Sequence, residues 1–223
     1  MTENKKMVSF TDIYNGDSEV ALGVFNHHIQ KTENQNLDEA FQYLVYAANL
    51  GHPVALNFIW RIYAGKEVCG IKQKKNLQSA EKYLRMLSCI DRIIDISALK
   101  CISIEEVQKY MVDAQSQLGF LYIREESLGH KHMGYIMSLN LALNYNVPLS
   151  LYAMGWWYVY AFDDERWTAY TERNYQEAMK WLRSCIDTQD EKYIYEAAEF
   201  YNVVAGRWNA NHGSNAQVQL YDI

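Results

Sequence analysis

The residues with the widest chemical range in this chain are its six histidines and four cysteines, and their spacing limits what they can do. His27 stands beside His28, and His130 stands two residues before His132 in the segment Ser127-Leu-Gly-His-Lys-His132. Ligands that share a helix face lie three or four residues apart, so the adjacent His27 and His28 point in different directions. His130 and His132 read as a surface loop or as part of a metal site whose third ligand is not evident. Cys69, Cys89, Cys101 and Cys185 include no close pair. Cys89 and Cys185 fall on apolar helix faces, where a thiol acts as a small hydrophobe. All four are expected to be reduced. No nucleophile elbow, phosphate-cradling glycine loop or zinc-spaced cysteine set is present. The expectation is therefore a non-enzyme with no catalytic residue, metal ligand or cofactor, and the alternative is a metal-assisted enzyme using His130 and His132.

Charge offers a second kind of chemistry. Lys72, Lys74 and Lys75, with Lys66 nearby, form a basic loop that reads as a solvated turn or an anion contact. The run Asp163, Asp164, Glu165, Arg166, Trp167 sets three acids beside an aromatic residue. It is a candidate partner contact, because tryptophan with charge is typical of binding hot spots. The other reading is that Trp167 folds back over the long connection 163–173. Asp plus Glu number 27 against 21 Lys plus Arg, a net charge of −6. That balance argues against a nonspecific nucleic-acid binder and is compatible with a basic protein partner or with solubility alone. Polar residues interrupt every apolar stretch and no apolar run follows Lys5 and Lys6, so no membrane span or signal peptide is expected and the expected location is cytoplasmic.

The elements that position these groups are set by two alternating patterns. The first reads Ala55, Ile59, Trp60, Ile62, Tyr63, then Ala114, Leu118, Gly119, Leu121, Tyr122, then Ser150, Met154, Gly155, Trp157, Tyr158. The second reads Leu37, Ala40, Tyr43, Leu44, Ala47, then Leu77, Ala80, Tyr83, Leu84, Leu87, then Tyr175, Ala178, Trp181, Leu182, Cys185. Apolar residues three and four apart make each an amphipathic helix. Weaker copies of the first pattern centre on Leu22 and Phe200, and the second has a further copy centred on Ile136. The spacing is 37 residues from Leu22 to Ile59 and 40 from Ala40 to Ala80, the length of two helices with their connections. The longer interval from Ala80 to Ile136 holds an insertion, 91–112, in which Ser103 and Glu106 form a capping box for a further helix. Pro53 and Pro148 suit first helical turns, and Gly51 ends the helix before Pro53. Small residues at Ala40, Ala80, Ala178, Gly119 and Gly155 leave room for large facing side chains such as Tyr43 or Trp181.

The segment Asn36-Leu-Asp-Glu-Ala-Phe-Gln-Tyr-Leu-Val-Tyr-Ala-Ala-Asn-Leu-Gly51, followed by Val54-Ala-Leu-Asn-Phe-Ile-Trp-Arg-Ile-Tyr-Ala-Gly65, resembles a Sel-one-like repeat, a short relative of the tetratricopeptide repeat. Asn174 to Arg183 resembles the second helix of the same unit. Ile136 and Asn140 stand where the family has alanine and leucine. The resemblance covers roughly 17–205 and implies an all-α fold, a right-handed α/α superhelical solenoid. The expected organisation is one domain with repeats at 17–51, 52–90, 113–147 and 148–187, a closing helix at 191–205 and a polar tail at 206–223.

In this family the first helices of the pairs line the concave side. Their positions off the packing stripe are Asn57, Arg61 and Gly65, then Ser116, Phe120 and Arg124, then Tyr152, Trp156 and Tyr160. Arg61, Phe120, Arg124, Tyr152, Trp156 and Tyr160 thus form an amphipathic strip suited to protein recognition, unless the last helix buries Trp156. The resemblance implies stoichiometric binding of a protein partner. Small, acidic bacterial relatives often serve as immunity proteins against a toxin delivered by contact-dependent or type-six secretion, and others are scaffolds or signalling adaptors.

Overall fold

The computed structural model describes residues 17–30, 36–161, 171–212 and 218–222. These form nine α-helices in order: α1 (Ser18–Gln30), α2 (Leu37–Asn49), α3 (Pro53–Tyr63), α4 (Leu77–Ser88), α5 (Ile104–Arg124), α6 (Lys131–Tyr145), α7 (Pro148–Trp156), α8 (Thr171–Asp187) and α9 (Ile194–His212). A π-helical turn, Trp157–Ala161, continues α7. The chain gathers into two compact units, Met1–Gln115 and Ser116–Ile223, dividing within α5. Among the described residues no helix is long and apolar enough to cross a membrane.

In the first unit, α1 packs on α2, α2 on α3 and α3 on α4. Helix starts follow side-chain chemistry. Asn36 accepts from the Glu39 backbone N–H at 3.1 Å, satisfying one orphan donor of the first turn, and its side-chain amide donates to the Glu39 carboxylate at 3.1 Å, which holds the cap in place. Asn76 caps α4 through Ser79 N–H at 3.0 Å, and Ser103 caps α5 through Glu106 N–H at 3.2 Å. The α2–α3 corner is a Schellman motif: Gly51 N–H donates to Ala48 O and His52 N–H to Ala47 O, both at 3.0 Å. Gly51 has φ 85° there, and a Cβ on it would lie 3.0 Å from Ile94, so the connection from Ile90 onward packs across a corner that only glycine leaves open. That connection, with two short 3-10 turns, leads to Cys101.

In the second unit, α6 packs on α7, α7 on α8 and α8 on α9. α6 packs in a different register from the one centred on Ile136. Ile136 is 54% exposed, and α6 buries Gly134, Ser138, Leu141 and Ala142 instead. The reason is close backbone approach: a Cβ on Gly134 would lie 2.6 Å from Gly119 O, so the two glycines face one another, small against small. Gly155 accommodates Leu182 rather than Trp181. The α6–α7 corner repeats the first in backbone form, with Asn146 at φ 51° in place of Gly51, then Val147 extended, then Pro148 at the first turn. The last helix centres on Tyr201, not Phe200, and runs to His212. The tail residues are not simply polar solvent-facing chain. Asn202 pairs with both backbone groups of Tyr221 at 2.8 Å, and Asn209 pairs with those of Val218 at 3.0 and 2.7 Å, laying Val218 and Tyr221 on the core.

Candidate functional site

The second unit brings most of the sequence-derived strip together. Tyr152 and Trp156 lie one turn apart on α7, and Phe120 meets both from α5, with ring centroids 5.7 and 6.3 Å away and nearly perpendicular planes. The π turn closes wider than an α turn, so residues past Trp156 rotate against the helical register. Tyr160 there lies 4.9 Å from Trp156 and stacks on Phe200 of α9 at 5.7 Å with planes 4° apart. Phe200 in turn meets Tyr152 at 5.8 Å. Five rings thus close a cycle, and Phe120 and Trp156 rest on the buried Ile123 and Ala153. Edge-to-face and stacked contacts of this kind hold aromatic surfaces rigid.

Polar groups rim the cycle. The Arg124 guanidinium lies 5.5 Å over Phe120 and is held by the Glu125 carboxylate at 3.0 Å. Burial pushes the Tyr152 hydroxyl above the ordinary phenol range, and the charge of Glu196 adds to that, so it stays a neutral donor. Tyr160 is 40% exposed, while Phe120, Tyr152 and Trp156 are half-buried. Trp156 is covered by Phe120 and Tyr160; the last helix reaches the cycle through Phe200. Phe200 itself escaped the sequence reading because it stands on the apolar pattern as though it were core.

The other candidates fall elsewhere. Arg61 belongs to the first unit, half-buried and near enough to Tyr110 for its charge to favour the phenolate there, although burial sets the net direction upward. Asp163, Asp164, Glu165 and Trp167 lie outside the described residues. Ser116 is buried and hydrogen-bonded to Ser150 at 3.0 Å, so it is core, not surface. His130 packs edge-on against Tyr122 and His132 lies along Tyr135, which gives each imidazole its own aromatic partner. His28 stacks on Tyr43.

One set of metal-ligating atoms assembles in the first unit, away from the histidine pairs of the sequence reading. Glu19 on α1, His52 at the α2–α3 corner and Cys101 before α5 bring one ligand atom each within 4.8 Å of one another. His52 Nε2 lies 3.2 Å from Cys101 Sγ, and Glu19 accepts the backbone N–H groups of Lys100 and, at 3.0 Å, Cys101. The Lys100 bond holds the Glu19 carboxyl below its usual range, burial holds His52 low and neutral, and burial with Glu19 raises the Cys101 thiol. A thiol so raised is a poor resting nucleophile. No sequence spacing signals this set, since Cys101 lies 49 positions from His52 and 82 from Glu19.

Comparison with protein-family models, curated proteins and solved structures returns no match, so the side chains themselves carry the functional reading.

Proposed function

We propose that this chain is a protein-binding helical-repeat protein that captures its partner on the aromatic face of the second unit. The observation that supports this reading is the closed cycle of Phe120, Tyr152, Trp156, Tyr160 and Phe200, partly open to solvent and rimmed by Arg124. Rigid aromatics with a polar tip contribute most per residue at protein interfaces and lose little side-chain entropy on binding. The partner that suits it presents apolar side chains on a basic surface, to complement the net charge of −6. The resemblance to Sel-one-like repeats supports a narrower form: an immunity protein that neutralises a secreted bacterial toxin by stoichiometric binding. A scaffold or adaptor uses the same face with a different partner.

The test is capture of the partner from the native host, followed by affinity measurement on Trp156→Ala and Tyr160→Ala beside their melting temperatures. Each substitution is expected to weaken binding by about 2 kcal/mol, near 30-fold, with the fold retained. Normal binding, or binding lost only in step with melting, removes the face from consideration and turns attention to 163–167. Co-expression then separates the narrower readings: an immunity protein relieves its partner's toxicity, and an adaptor's partner has none.

A further inference from the structure

We propose that Glu19, His52 and Cys101 form a binding site for one divalent transition-metal ion of the zinc class, with carboxylate, imidazole and thiolate as ligands and a fourth position left for a non-protein ligand. The donor atoms lie within 4.8 Å of one another, and His52 Nε2 and Cys101 Sγ are already 3.2 Å apart. Zinc bonds of 2.0–2.3 Å set tetrahedral neighbours about 3.5 Å apart, so side-chain adjustment alone closes the set. A mixed sulfur, nitrogen and oxygen set favours zinc or cobalt over magnesium or calcium.

The burial of His52 is the feature that a purely structural role leaves unexplained. The residue is 0% exposed, its Nδ1 has no hydrogen-bond partner among the described residues, and its Nε2 meets only the Cys101 sulfur, a weak hydrogen-bonding atom. Buried polar groups are normally satisfied, and an imidazole left this way is destabilising. A metal bond to Nε2 replaces that weak sulfur contact with a strong one and so offsets part of the cost of burying the ring, while Nδ1 keeps no partner among the described residues in either state.

The fold does not require histidine at this place. The α6–α7 corner makes the same left-handed, extended, proline sequence, and there the extended residue is Val147. The two residues share backbone angles, φ −68° and ψ 120° for His52 against φ −69° and ψ 120° for Val147. A β-branched apolar residue therefore serves the corner, and the imidazole is surplus to it. Glu19, for its part, is oriented by backbone N–H groups of Lys100 and Cys101, the kind of outer support that aims a ligating carboxylate. On binding, the metal–sulfur bond replaces the S–H bond of Cys101, and the proton leaves to solvent with no change of oxidation state.

The experiment uses the full chain, stripped with chelator and titrated first with cobalt(II) and then with zinc(II). One cobalt per chain is expected, with a thiolate-to-cobalt charge-transfer band in the near ultraviolet and tetrahedral bands in the visible, all displaced by zinc. Cys101→Ser should abolish the charge-transfer band while Cys69→Ser leaves it intact. His52→Val should lower zinc affinity at least 100-fold with metal-free helicity and melting temperature kept or raised. Absence of a 1:1 complex at micromolar zinc overturns the proposal, as does a charge-transfer band that survives Cys101→Ser or wild-type affinity in His52→Val. If His52→Val does not fold, Cys101→Ser decides alone. None of these readouts depends on partner capture by the second unit.

Discussion

Replacing Gly134 by alanine should destabilise the second unit, although alanine is the better helix former. The intrinsic gain of Gly→Ala in a helix interior is about 1 kcal/mol. Against it stands a new Cβ 2.6 Å from Gly119 O, 2.7 Å from Tyr122 Cβ and 2.9 Å from Ile123 N. Ordinary contact needs roughly 3.4–4 Å, and two of these three atoms are backbone, so no flexible side chain can give way. α6 must withdraw from α5 by close to an ångström, which loosens the Gly119–Ser138 contact as well. Overpacking of this kind costs about 3 kcal/mol at the upper end of its usual range, leaving a net loss of about 2 kcal/mol. In a chain of this size that lowers the melting temperature by about 4–8 °C. Gly206→Ala is the matched control, since a Cβ at Gly206 meets nothing within 4 Å, and it should stabilise by about 0.5–1 kcal/mol. Urea unfolding followed by far-ultraviolet circular dichroism measures both in the same unit. A Gly134→Ala variant as stable as the wild type, or two alanines that shift stability in the same direction, would refute the close-approach account.

Asn146→Ala should destabilise by about 1 kcal/mol in a thermal melt, and Asn146→Gly should not, because the corner needs φ 51°. Cys185 is buried, donates to Pro148 O at 3.2 Å and has its pKa pushed up to about 12 by burial, so a thiol reagent at mildly alkaline pH should spare it in the folded protein and find four reactive thiols only after denaturation. Its folded pKa lies above the ordinary 9.0, so its contribution to stability is intact below pH 9 and declines as pH rises from 9 toward 12, which alkaline melts on wild type and Cys185→Ala can read. Asn202→Ala should release the segment around Tyr221, seen as faster amide exchange at Tyr221 while Val204 keeps its protection.

The aromatic face was legible to the extent that helical periodicity is. Tyr152, Trp156 and Tyr160 stand off the apolar stripe of their own helix, and Phe120 stands off the stripe of its own, so their meeting follows once the two helices are neighbours. Phe200 obeys the same apolar spacing as a core residue, and its surface role depends on how α9 is rotated by Ala197, Ala198 and Tyr201. The misplacement of Ile136 has a related origin. In the first half of α6 the residues that pack are Gly134 and Ser138, which carry too little hydrophobicity to mark a stripe before Leu141 and Ala142, while the larger Ile136 and Leu143 lie exposed.

Local chemistry determined how several of the helices begin and where α2 ends. Asn36, Asn76 and Ser103 cap, Pro53 and Pro148 open first turns, and Gly51 closes a helix, because those effects act through hydrogen bonds and backbone angles within a few residues. Tertiary structure decided which small residues meet, that Leu182 rather than Trp181 seats on Gly155, and that Glu19, His52 and Cys101 converge. Such contacts depend on distances between segments tens of residues apart, fixed by the joint packing of several helices. No single stretch of sequence carries that information, which is why a histidine between a glycine and a proline reads as a corner and only the folded chain sets a thiol and a carboxylate beside it.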